Sequence, residues 1–81
     1  MKKIMYYSAP WCGPCKMLSP VMDQVAQTIS VDKINIDYEM DRARAANVSS
    51  VPTVILVENE QEVRRFVGAR SRQQINEFIN G

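Results

Sequence analysis

The sequence predicts an α/β fold, a four-stranded mixed sheet with helices on both faces and elements in the order β-α-β-α-β-β-α. Three observations predict it. An aromatic-rich apolar run near the start gives way, from Pro14, to apolar residues three and four apart, the change from strand to helix spacing. A β-branched run at Thr53 to Val57 is followed by a polar turn and a second strand-like run, which reads as a hairpin. Ser71, with Gln74 three residues on, opens a last apolar-periodic segment with a capping box.

Each element follows in order. Lys2 to Tyr7 is a strand, ended by Ser8-Ala9-Pro10. Met17, Leu18, Val21, Met22, Val25 and Ile29 then form one face of a helix. Pro20 lies inside this pattern and removes a backbone donor, so a kink is expected, but the apolar spacing continues past it. Val31 to Ile36 alternates as a second strand, parallel to the first through a right-handed crossover. Asp37 to Asn47, with Met40, Ala43, Ala45 and Ala46, is expected as a weakly amphipathic helix. Val48 to Pro52 is a loop, and Thr53 to Val57 is a strand. Glu58-Asn59-Glu60-Gln61 is the turn, Glu62 to Val67 the partner strand, and Gly68 ends it. Ile75, Phe78 and Ile79 form the apolar face of the last helix, with Gly81 after it.

Length and composition bound the function. A chain of 81 residues and 9.2 kDa is expected to be one domain, residues 1-81, burying about 60–65% of its unfolded surface. Ten Lys and Arg stand against nine Asp and Glu, scattered except for Lys2-Lys3 and Arg64-Arg65, so neither nucleic acid nor an anionic membrane is an expected partner. No apolar run approaches the ~18 residues of a membrane span. Lys2 and Lys3 resemble the start of a signal peptide, but Ile4-Met5-Tyr6-Tyr7 is too short and aromatic to continue one. A cytoplasmic monomer is expected.

Both cysteines fall in the run Trp11-Cys12-Gly13-Pro14-Cys15-Lys16, and the chain has no histidine. Proline is favoured in the first helical turn, so the helix should start near Cys12 to Pro14. Cys12 then sits where free N–H groups and the positive dipole end stabilise a thiolate, which makes it the attacking nucleophile. Cys15, three residues on, faces the same side and lies nearer the helix interior, protonated until needed. Cys12 would attack a disulfide in a partner, and Cys15 would resolve the mixed disulfide. Three other readings compete. A structural disulfide closing so small a loop would contribute roughly 2 kcal/mol or less. A closed zinc site needs four ligands, which two cysteines without histidine cannot supply within one chain. Two inert thiols are the third. In a reducing compartment, redox chemistry is the strongest of these readings.

The Trp-Cys-Gly-Pro-Cys-Lys run resembles that of the thioredoxin family. The similarity continues through Lys33-Ile34-Asn35-Ile36-Asp37, Val51-Pro52-Thr53 and Val67-Gly68-Ala69 before a serine-initiated helix. The resemblance implies a thioredoxin-like fold and a protein-disulfide reductase with no cofactor beyond a redox-active Cys12–Cys15 disulfide. Pro52 matches a cis proline beside the disulfide, leaving the backbone of Val51 free to pair with an extended substrate. Trp11, Gly13, Pro14, Gly68 and Ala69 match a flat docking surface, and Lys16 belongs to the same active-site run. Implied partners are disulfide-containing proteins, with a ribonucleotide reductase among the candidates, and a flavin- and NADPH-dependent thioredoxin reductase. Gly-Pro between the cysteines resembles the reducing members of the superfamily.

The chain also departs from the family. Its first strand begins at Lys2, a minimal core of glutaredoxin size, where a typical thioredoxin has a further strand and helix. The family's buried Asp, six residues before the first cysteine, is Tyr6 here, and its usual Lys neighbour is matched by Lys33. The Cys15 proton thereby loses its customary acceptor. Pro10 before Trp11 resembles the Ala-Pro-Trp-Cys of disulfide isomerase domains. Two alternatives stand beside the reductase. One is a glutaredoxin-like protein recharged by glutathione, against which Gly68-Ala69-Arg70-Ser71 lacks the usual Gly-Gly pair and Asp. The other is a non-catalytic thioredoxin-fold binding module.

Overall fold

A computed structural model describes residues 1–81. In chain order the elements are β1 (Lys2–Ser8), α1 (Gly13–Val25), β2 (Ser30–Asn35), α2 (Met40–Ala45), β3 (Thr53–Glu58), β4 (Gln61–Val67) and α3 (Arg72–Asn80). The strands form one sheet in the order β2-β1-β3-β4. β1 and β2 are parallel, while β3 runs antiparallel to both β1 and β4.

The alternation of side chains along the two central strands divides the core. Ile4 and Tyr6 of β1 and Val54 and Leu56 of β3 face α1 and α3, packing with Leu18, Met22, Val25, Phe66, Ile75 and Phe78. Their neighbours Tyr7 and Ile55 face the other way, against Ile34 and Ala43 of α2. Both faces are therefore covered, as the apolar runs of β1 and β3 require.

α1 runs through Pro20 without ending. α3 opens with the expected capping box, the Ser71 hydroxyl accepting from the Gln74 N–H while the Gln74 side chain accepts from the Ser71 N–H. α2 is shorter than its composition suggests. Asn35 takes the first turn, its side-chain oxygen accepting from the Asp37 N–H and its carbonyl from Tyr38 and Glu39. At the other end Asn47 adopts a φ of 56°. The Val48 N–H bonds back to Ala43, and the Asn47 N–H to Arg44, a Schellman ending made with asparagine.

Two registers carry the sheet to its functional end. Tyr7 pairs with Thr53 across β1 and β3, so Pro52 lies beside the exit of β1. Thr53 pairs with Val67, and the Gly68 N–H donates to the Pro52 carbonyl at 2.9 Å. The β1–α1 loop, the Val51–Pro52 segment and Gly68 thus gather at one end of the sheet. No helix is long and apolar enough to cross a membrane.

Candidate active site

β1 ends at Ser8, and the chain turns through Ala9 and Pro10, with the Cys12 N–H bonded to the Ala9 carbonyl at 3.2 Å. Cys12 is extended and is the N-cap of α1. Its sulfur takes the place of a capping oxygen, accepting from the Cys15 N–H at 3.2 Å. Pro14 occupies the first turn, where its missing N–H leaves no bond unmade. Cys12 and Cys15 are joined as a disulfide, with Cα atoms 5.2 Å apart. Both are buried, in a cluster with Ala9 against which Ile36 and Val51 pack.

The other site residues lie around this pair. Val51 is half-buried beside the cysteines, and neither its N–H nor its carbonyl bonds to another part of the protein. The Val51–Pro52 peptide is cis, as the resemblance implied, and Pro52 is buried. Gly68, half-buried, is held to Pro52 by its amide, and Ala69 beyond it is exposed. Gly13, Pro14 and Lys16 form the open surface of the first turn. Trp11 is 66% exposed, and its indole N–H donates to both oxygens of Asp37, at 3.1 and 3.3 Å.

Asp37 is a residue whose role the sequence did not disclose. It falls in a matching run but lies 26 residues from Trp11, and nothing local links the two. Ser19 is another. The hydroxyl of Tyr6, where the family's Asp was expected, lies 3.0 Å from Ser19 Oγ and 3.2 Å from the Cys15 carbonyl. Lys33, opposite Tyr6 in the ladder, forms an ion pair with Asp23 of α1 at the surface.

The groups with displaced pKa values lie elsewhere, on the α2 side of the sheet. Burial raises the Tyr7 phenol, hydrogen bonds to Asp32 and Glu39 raise Arg42, and the Glu62–Arg65 bond lowers Glu62 and raises Arg65. The two ion-pair groups are surface structure, and none of these residues contacts the cysteines. No group of three or more His, Cys, Asp or Glu gathers as a metal site would require. The largest groove, about 1220 Å³, lies at the opposite end of the sheet, lined by Met1, Lys2, Thr28, Asn59, Arg72 and neighbours. Around the disulfide the surface is open, which suits a macromolecular partner better than an enclosed small molecule.

The thioredoxin family model matches residues 1–81. The thioredoxin of Haemophilus influenzae is 38% identical over 81 residues, covering 95% of this chain and 76% of that protein. A bifunctional thioredoxin reductase/thioredoxin of Mycobacterium leprae is 41% identical over 68 residues, 79% of this chain and 15% of the fusion. Among solved structures, a mutant thioredoxin from Halobacterium salinarum superposes with a TM-score of 0.93 at 32% identity, over 98% of this chain and 72% of that one. Fasciola hepatica thioredoxin gives 0.89 at 27% identity, over 98% and 78%. With a cysteine-capped helix, a cis proline and an unpaired Val51 backbone at one end of the sheet, these matches make the chain a member of the thioredoxin family and a thiol–disulfide oxidoreductase.

Proposed function

We propose that the protein reduces disulfides in partner proteins, with Cys12 attacking and Cys15 resolving. The observation that carries this reading is the Cys12 sulfur at the N-cap of α1, accepting an amide hydrogen bond from Cys15. A thiolate there gains a charge-assisted bond and the positive end of the helix dipole. Cys15, one turn deeper, lacks that position. A partner segment extended along Val51 finds an unpaired backbone N–H and carbonyl, as in strand addition. Trp11, Gly68 and Ala69 supply the surrounding surface, and Gly13, Pro14, Lys16 and Pro52 shape the turn against which it docks.

In the first step the Cys12 thiolate forms a bond to one partner sulfur, and the other partner sulfur leaves and takes a proton. In the second, Cys15 loses its proton to solvent and its sulfur bonds to Cys12 Sγ. The Cys12–partner bond breaks, and the released thiolate is protonated. Two electrons pass to the partner, and the chain is left as the disulfide.

The Mycobacterium leprae relative, named as a reductase joined to a thioredoxin, supports recharging by a thioredoxin reductase. The reading carries with it a cytoplasmic location, no cofactor beyond the disulfide, and protein substrates such as a ribonucleotide reductase. The test is insulin reduction with NADPH and a thioredoxin reductase. Cys12→Ser abolishes turnover, and Cys15→Ser traps mixed disulfides. Turnover restored only by glutathione and its reductase would show a glutaredoxin-like cycle. Faster alkylation of Cys15 than Cys12 in the reduced protein would reverse the roles.

A further inference from the structure

Tyr6 is fully buried on β1, and its hydroxyl reaches the backbone of a reactive residue. Two polar atoms lie within bonding distance, the Cys15 carbonyl at 3.2 Å and Ser19 Oγ at 3.0 Å. A carbonyl only accepts, and a phenol has one proton. The proton of Tyr6 therefore points to Cys15, and Ser19 donates to the Tyr6 oxygen. The chain of bonds runs from Ser19 through Tyr6 to the Cys15 carbonyl.

The Cys15 carbonyl does not need this bond to be satisfied. It lies inside α1, where the residue four positions on supplies the ordinary helical donor. The hydroxyl is an additional anchor, and it joins the cysteine-bearing turn to the central strand of the sheet. Three further bonds of that turn pass through Cys12. The Cys15 N–H bonds to Cys12 Sγ, the Lys16 N–H to the Cys12 carbonyl, and the Cys12 N–H to Ala9. When Cys12 Sγ is bonded to a partner, its bond to the Cys15 N–H is the one at risk. The Tyr6 bond involves no sulfur and persists.

We propose that Tyr6, supported by Ser19, is a positioning residue for the resolving step, holding Cys15 where its sulfur meets Cys12 Sγ. This rests on the attacking and resolving roles given above. In that step the Cys15 proton goes to solvent, the Cys12–Cys15 bond forms, and the partner sulfur leaves from Cys12 and is protonated. The Tyr6 proton stays on the Cys15 carbonyl throughout. What the anchor supplies is effective concentration, so its loss slows ring closure and leaves the first attack alone.

The reduced full-length protein is mixed with an aromatic disulfide that releases a coloured thiolate, 5,5′-dithiobis(2-nitrobenzoate), in a stopped-flow instrument. Cys12 attack releases the first equivalent and Cys15 closure the second. In Tyr6→Phe the first phase stays within about twofold of the parent. The second slows roughly three- to tenfold, by the same factor at every pH from about 6 to 9. The equilibrium against glutathione moves toward the dithiol by a similar factor, with tenfold corresponding to about 30 mV. Ser19→Ala, which keeps the Tyr6–Cys15 bond, shows a smaller loss in the same phase and keeps the test open if Tyr6→Phe does not fold.

An unchanged second phase in both variants overturns the proposal, as does equal slowing of both phases. A defect that grows along one limb of the pH profile overturns it too, because Tyr6 would then act on a proton rather than on position. In the parent background, Cys15→Ser keeps the fast first phase and Cys12→Ser loses it. If Cys12→Ser keeps that phase and Cys15→Ser loses it, the underlying roles fail, independently of Tyr6.

Discussion

The indole N–H of Trp11 is shared between the two carboxylate oxygens of Asp37, and Asp37 is itself oriented by its main-chain bond to the Asn35 side chain. An exposed aromatic ring next to Cys12 is thereby tied to the end of β2. Both partners are exposed, so Asp37→Ala should cost less than about 1 kcal/mol of stability. It should release the ring, however. Trp11 is the only tryptophan, so its fluorescence anisotropy reports the change directly and should fall. The KM for a protein substrate should rise roughly fivefold, the equivalent of about 1 kcal/mol, while reduction of a small aromatic disulfide is unaffected. Unchanged anisotropy would show that the bond does not fix the ring.

What the sequence disclosed was whatever a local pattern encodes. Pro14 and the change of period located the strand–helix junction, and Ser71 with Gln74 located the start of α3. α2 is shorter than its composition predicts for a physical reason. The alanines favour helix, but Asn35 captures three amide groups ahead of it and Asn47 turns the chain left-handed behind it. The sheet order places β3 beside β1, which no local periodicity records. The contacts that depend on that packing, such as the Val51 approach to the cysteines and the Trp11–Asp37 and Tyr6–Ser19 pairs, join residues too far apart for a local pattern to link. The Tyr6 substitution was visible, but its partners were not.

Glu62 and Arg65 form a two-pronged pair, both bonds 2.6 Å, and the same guanidinium donates to the Ala46 carbonyl at the end of α2. The hydrogen bond from Arg65 holds the Glu62 carboxyl below its ordinary value of 4.5. A carboxyl depressed in the folded state contributes stability above its unfolded pKa and loses it as pH falls through the folded one. Glu62→Gln should therefore be less stable than the parent at pH 6, by a few tenths to about 1 kcal/mol for a pair this exposed. The difference should shrink toward pH 3. Urea denaturation at the two pH values checks this, and a constant difference would mean the charge is not the source.

The β3–β4 hairpin turns on Asn59 and Glu60, with φ values of 53° and 69°, between the paired residues Glu58 and Gln61. Two left-handed residues in a two-residue loop are the signature of a type I′ turn, for which asparagine followed by glycine is preferred. Asn59 fits, and it also ties the amino terminus through its side chain. Glu60 makes no hydrogen bond that would compensate its conformation. Glu60→Gly should stabilise the protein by about 0.5–1 kcal/mol, raising Tm by roughly 2–8 °C for a domain of this size. A lower Tm would show that the glutamate stem contributes more than its backbone costs.

Gly68 and Gly13 separate backbone conformation from available space. A Cβ added at either would meet nothing within 4 Å, but only Gly68 has a positive φ, 94°. Gly13→Ala should then be neutral or gain a few tenths of a kcal/mol, because alanine is the better helix former. Gly68→Ala should lose about 1–3 kcal/mol from the φ alone. The loss should also reach the site, because the Gly68 amide donates to the Pro52 carbonyl 2.9 Å away and strain at Gly68 is relieved by moving it. A displaced amide loosens the segment carrying Val51, along which the substrate is proposed to lie. Thermal denaturation measures the first effect, and the KM for insulin measures the second. Equal stability losses in the two variants would point to steric crowding rather than conformation. A normal KM in a destabilised Gly68→Ala would show that Val51 holds its place without Gly68.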